Sequence, residues 1–148
     1  MNGAKNLLSR GRTDGHVRIA SKDASITDRT KLEPMVAIEL MWLTMIVGEA
    51  LQVAMNNRGI PVVRINYQDM GNWSYKEGKP SVFHVHVFGR ASNAVKQPWP
   101  ESVYLPDRKT GFYDGFEPLN KEDNKEILKQ ILAISTDKKY RPEAWGLI

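Results

Sequence analysis

With 148 residues, 41% of them apolar and 26% charged, the chain has the length and make-up of one domain that buries its own core. It contains no cysteine, which excludes disulfides, thiolate catalysis and a cysteine-based zinc site. The net charge of +4 suits an anionic small ligand, but no Lys/Arg block is dense enough for a nucleic-acid stripe, so nucleic acid is not expected as a partner.

Residues 1–14 are polar and read as a loose N-terminal arm without the apolar run of a secretory signal, so a cytoplasmic location is expected. His16 to Ala20, HVRIA, alternates and reads as a short strand. A polar loop follows to Lys31. Thr30 and Glu33 have capping-box spacing and Pro34 suits a first helical turn, which predicts a long helix closing near Asn57 at Arg58-Gly59. Leu40, Leu43, Val47, Leu51 and Ala54 give that helix a core face. Met35, Met41, Trp42, Met45 and Ile46 widen the apolar surface beyond one stripe. A helix apolar nearly all round is covered on more than one side, and in so short a chain the second cover is expected to be another copy: a homodimer through the Met-rich helix. The apolar run from Met35 to Val47 is broken by Glu39 and falls short of the roughly 20 residues a bilayer span needs, so no membrane partner is expected.

Ile60 to Tyr67 reads as a second strand, residues 68–80 as a turn-rich loop, and Val82 to Phe88 as a third strand ending at Gly89. Residues 91–119 are irregular and carry Pro98, Pro100, Pro106 and Pro118. A second helix is predicted from about 119 to 134, with Asn120 as cap and Asp123 three residues on. No repeat or domain boundary interrupts the chain.

The third strand carries the chemistry. Side chains alternate along a strand, so Val82, His84, His86 and Phe88 share one face, while Phe83, Val85 and Val87 form an apolar core face. Two of the three histidines in the chain thus stand side by side, roughly 7 Å apart along the strand. Such a pair can share a metal ion, but that wants a third ligand, and no carboxylate follows before Glu101. It can do acid–base work on a phosphodiester if a second copy of the motif exists, and none does. It can also act at phosphorus without a metal: one neutral imidazole attacks and its protonated neighbour stabilises the phosphoryl oxygens.

HVHVFGR, from His84 to Arg90, resembles the signature strand of the histidine triad (HIT) superfamily, whose three alternating histidines are followed by Pro-Arg or Gly-Arg. GHVRIA (Gly15 to Ala20) resembles the family's Gly-His strand, the long helix follows it in the family's order, and VVRINYQDMGNW (Val62 to Trp73) resembles the Asn-containing strand and loop before the triad. The likeness covers about residues 14–90; the stretch from GRASNA through LPDRKTGFYDGFEPLN (Gly89 to Asn120) resembles the extension of a bacterial branch, within a C-terminal extension over 91–148. It implies one α+β, HIT-like domain over 1–148. An antiparallel sheet would pack against one long helix, with a second helix near the C-terminus.

The sequence departs from the family in having two triad histidines. In one register, set by Gly89-Arg90, His84 is the nucleophile, His86 the third histidine, and Val82 replaces the first. In the other, SVFHVH makes His86 the nucleophile and Phe88 replaces the third. The first keeps the Gly-Arg spacing and both histidines that face the phosphate. GKPS (Gly78 to Ser81) lacks the glutamine of the family's Gly-Gln-Ser/Thr segment, leaving Ser81 or Lys79 for that phosphate contact.

The resemblance implies a nucleotide hydrolase or transferase that needs no cofactor or metal. It would cleave at the α-phosphate of a dinucleoside polyphosphate or nucleoside phosphoramidate through a nucleotidyl-histidine. His84 would attack, His86 would bind the phosphoryl oxygens and protonate the leaving group, Asn66 would bind phosphate or ribose, and His16 would support the triad. Arg90 reads better as a surface ion pair than as a phosphate contact. Trp145 lies near the C-terminus, where the family varies its specificity. The alternatives are a nucleotide-binding protein that has lost the chemistry and a metal-dependent hydrolase.

Overall fold

The computed structural model describes residues 14–148; apart from Asp14, the expected arm lies outside the described residues. The strands are β1 (His16–Ala20), β2 (Val62–Asp69) and β3 (His84–Ala91), and β3 lies between the other two in one antiparallel sheet. The helices are α1 (Pro34–Asn57), α2 (Asn72–Lys76) and α3 (Lys121–Ser135), with single 3-10 turns at Arg29–Lys31, Arg108–Thr110, Lys138–Tyr140 and Pro142–Trp145. Over the described residues the architecture is α+β, a three-stranded antiparallel sheet with three helices.

β2 and β3 both sit about two residues further along than the alternation predicts. Phe83 is drawn out of the sheet because its N–H donates to the Ile26 carbonyl and its own carbonyl accepts from Ser21. At the far end Arg90 and Ala91 still pair with Arg64 and Val62 across a bulge at Val63, which prolongs both strands past Gly89. The loop after β2 contains the short helix α2.

α1 starts at Pro34, as its place in the sequence predicts, but the Thr30/Glu33 capping box does not form. The Asp28 carboxylate takes both the backbone N–H and the hydroxyl of Thr30 in the preceding 3-10 turn, and Glu33 caps nothing with its side chain. The second half of α1 is the centre of the core. Val47, Leu51, Ala54 and Met55 pack with Val62, Val87 and Ala91 of the sheet and with Leu119 and Ile127. Gly48 leaves room on α1 for the Tyr67 ring tip: a Cβ there would lie 2.0 Å from the Tyr67 hydroxyl. The first half is different. Leu40 and Leu43 are half-buried, and Met35, Val36, Ile38 and Met41 are exposed, Met41 by 55%. By length and composition α1 would also serve as a membrane span, although its C-terminal half is packed inside the domain.

Asn120 and Asp123 form the expected capping box at the start of α3, each side chain accepting from the other's backbone N–H. Asp123 also pairs with Arg58 at 2.8 Å, which fastens the start of α3 to the end of α1. The C-terminal turns close against α1: Trp42 donates its indole N–H to the Tyr140 carbonyl, and Tyr140 donates its hydroxyl to Glu49.

Candidate active site

Cross-strand pairing assembles the site on the sheet face turned away from α1. Arg18 of β1, His86 of β3 and Gln68 of β2 form one row; His16, Phe88 and Asn66 form the next. Ala20 pairs with His84 in the row beyond. Phe88 is fully buried and acts as a floor: its ring stacks on His16 at 4.3 Å and lies parallel to His86 at 5.5 Å between centroids. His86 and His16 stack on each other at 4.9 Å, and His84 meets His86 edge-on at 4.7 Å. All three histidines of the chain therefore converge on this face, including His16, which is 70 residues away from His86 in sequence.

Two hydrogen bonds set what the imidazoles can do. His84 Nδ1 lies 2.7 Å from the Val82 carbonyl oxygen. A carbonyl only accepts, so Nδ1 carries the proton, and in the neutral ring the lone pair is then on Nε2. His16 Nε2 lies 2.7 Å from His86 Nδ1. One of these nitrogens must donate; when His16 does, His86 keeps its proton on Nε2, the nitrogen not engaged by His16.

Both partners of that second bond are held neutral. Burial, then the charges of His86, Arg18 and His84, push His16 from the ordinary imidazole value down to about 3. Burial, then His84 and Arg18, push His86 down to about 4. In the free protein near neutral pH His86 is therefore a neutral donor. The shifts also predict a pH-dependent stability. The unfolded chain takes up protons below about pH 6.5 that the folded chain refuses, so stability is full above that pH and falls as pH drops. At pH 5 His16 alone accounts for about 2 kcal/mol, and His86 adds less because solvent reaches it. A melting temperature roughly 5 °C lower at pH 5 than at pH 7 is expected, with a shallower fall in His16→Phe; equal values at both pH values would contradict the buried neutral pair.

The histidines open into a cavity of about 740 Å³. Its lining joins His16, His84, His86 and Phe88 to α2 and the loop before it, and to residues 105–109 and Tyr113 of the C-terminal extension. The extension is irregular in backbone yet closely tied. Gln97 is buried and grips Tyr104 through both backbone polar groups, and Lys96 donates to the carbonyls of Phe112 and Asp114. Tyr104, Phe112, Tyr113 and Phe116 meet edge-on around it.

Other expected site residues lie apart from this cavity. Asn66 shares the histidine face, but its Oδ1 accepts from Arg90 Nη1 at 3.0 Å, and it does not line the cavity. Ser81 is buried behind the rim, where a Cβ on Gly71 would approach its Oγ to 2.6 Å. Arg90 is not the expected surface residue: it is only 2% exposed, and the charge that acts on it is that of the buried Asp14. Its guanidinium binds Asn66 and reaches the carbonyls of Gln97 and Pro98 at 3.4 Å, so Arg90 ties β3 to the extension. Gly89 is required because Asp14 crosses it; an added Cβ would lie 1.8 Å from the Asp14 carbonyl oxygen. Trp145 donates to the Lys139 carbonyl and does not line the cavity.

Four cations near the histidines were not singled out in the sequence: Arg18, opposite His86 on β1, and Lys76, Arg108 and Lys109 in the cavity lining. The alternation in HVRIA already placed Arg18 beside His16; the other three carry no local signal. No group of three or more His, Asp or Glu side chains among the described residues is arranged to hold a metal ion. No protein-family model, curated protein or solved structure matches the chain.

Proposed function

We propose that the protein is a histidine-triad-type nucleotide hydrolase or transferase acting at an α-phosphate, with His84 as nucleophile and His86 as its phosphate-side partner. The observation that carries this reading is the His84 Nδ1 contact with the Val82 carbonyl, which puts the lone pair on Nε2 in a side chain that lines a nucleotide-sized cavity. It favours the register in which Val82 stands where the family has its first histidine. The orienting acceptor is main chain, so the side chain lost at that position does not take it away.

His84 Nε2 would attack phosphorus and form a nucleotidyl-histidine, which water then cleaves to the nucleoside monophosphate. His86, neutral in the free protein, would donate Nε2–H to a phosphoryl oxygen, and His16 would hold it in that tautomer. Arg18, beside both, is the nearest strand cation on this face. Wild-type protein incubated with diadenosine tetraphosphate or adenosine phosphoramidate, chelator present, is expected to release AMP. A binder without chemistry would take up AMP and release none, and a metal-dependent hydrolase would stop in chelator.

The same reading includes a homodimer through the first half of α1. Met35, Ile38 and Met41 follow one another at three-residue steps and are all exposed. Sedimentation is expected to give a dimer for the wild type and a monomer for Met41→Glu; a wild-type monomer would sink this part.

A further inference from the structure

We propose that the cavity wall formed by Lys76, Arg108 and Lys109 is a leaving-group subsite for a phosphate chain, so that the substrate is a nucleotide whose leaving group is itself a phosphate. This rests on the reading of His84 as nucleophile. All three cations line the same cavity as His84 and His86, yet they come from α2 and from the 3-10 turn of the C-terminal extension. The two acids beside them offset this charge only in part: one is taken up by Lys79, outside the lining, and the other by Lys76. Glu77 pairs with Lys79 at 2.9 Å, and the Asp107 carboxylate accepts the Lys109 backbone N–H while lying 3.8 Å from Lys76. Arg108 and Lys109 take part in no ion pair among the described residues. A positive wall in a cleft with aromatic sides, here Trp73 and Tyr113, concentrates an anion.

The chemistry at the other wall points the same way. As the bond from His84 Nε2 to phosphorus forms, the bond from phosphorus to the leaving atom breaks, and its electron pair leaves on that atom. An amine leaving group needs a proton at that moment. Near neutral pH His16 and His86 are neutral rings without the acidic second proton, being pushed down to about 3 and about 4, and the one proton on His86 Nε2 is committed to the phosphoryl oxygen. A phosphate leaving group departs on oxygen as a stable anion, with a second pKa of about 6, and needs a neighbouring cation instead. Water then attacks phosphorus and the electron pair of the N–P bond returns to His84. One proton of that water stays on the nucleotide product and the other goes to solvent.

The test is a ratio. The kcat/KM for diadenosine tetraphosphate is divided by that for adenosine phosphoramidate, in wild type and in the exposed-turn double variant Arg108→Gln/Lys109→Gln. Loss of two charge-assisted contacts to the leaving group is expected to lower the ratio by about 10–100-fold, and added salt to raise the wild-type KM for the tetraphosphate more than the variant's. A ratio that stays within about twofold, in a wild type that turns over both substrates, overturns the subsite and leaves the role of His84 standing. A wild type that releases AMP from neither substrate overturns the reading of the histidines and this inference with it.

Discussion

Replacing His84 with alanine is expected to lower AMP release from diadenosine tetraphosphate by about ten-thousandfold or more, as removal of a covalent nucleophile does where no other group can attack. The reason is geometric. His84 Nδ1 is occupied by the Val82 carbonyl, so Nε2 is the nitrogen left with a lone pair, while His86 is tied through Nδ1 to His16. His86→Ala should be milder, roughly a hundredfold, because it removes a donor to the phosphoryl oxygens and not the bond-forming atom. The reverse order of effects would select the alternative register, with His86 as nucleophile. Nucleoside monophosphate affinity measured beside turnover separates lost chemistry from a lost pocket.

The largest effect on stability is expected at Gly89, away from the chemistry. A Cβ added there would lie 1.8 Å from the Asp14 carbonyl oxygen, a backbone atom that cannot turn aside as a side-chain tip can. The neighbouring Gly15 is held to β3 by the 2.8 Å bond from Gly89 N–H to its carbonyl, and a Cβ on Gly15 would itself strike Leu51 Cδ1 at 2.7 Å. The start of β1 is therefore clamped between the sheet and α1. Gly89→Ala must push it out or break the pairing, at a cost of about 3 kcal/mol and a fall in melting temperature of roughly 10 °C. Since β1 carries His16, the displaced strand should also loosen the His16–His86 bond. A variant that melts within about 2 °C of the wild type would show that the approach of Asp14 is not as close as described.

Much of this arrangement is legible in the sequence, for reasons of periodicity. Alternation in HVRIA and SVFHVHVFGR separates the histidine face from the core face, and strand pairing then carries His16 to His86 without further information. The i, i+3, i+4 spacing of Leu43, Val47, Leu51 and Ala54 fixes α1, and Asn120 with Asp123 fixes the start of α3. What fails is local chemistry with more than one outlet. Thr30 has capping-box spacing to Glu33, but Asp28, two residues before it on a shorter side chain, takes both its N–H and its hydroxyl. Arg90 ends an apolar strand and reads as a surface residue. Only the folded extension supplies the carbonyls of Gln97 and Pro98 that allow its burial. The cationic wall is beyond sequence reading for the same reason. Lys76 and Arg108 are 32 residues apart (108 minus 76) and belong to unrelated elements. Only the packing of the extension through Gln97 and Lys96 brings them to one cavity.

His84 as a covalent nucleophile is tested most directly by trapping the intermediate. Wild-type protein, mixed with diadenosine tetraphosphate and chelator and quenched in alkali within a turnover, would be digested and read by mass spectrometry. An adenylyl group on the peptide containing His84, assigned to Nε2 and absent from His84→Ala, is the predicted result. AMP released at full rate with no adduct at any time, or an adduct on His86, would contradict it.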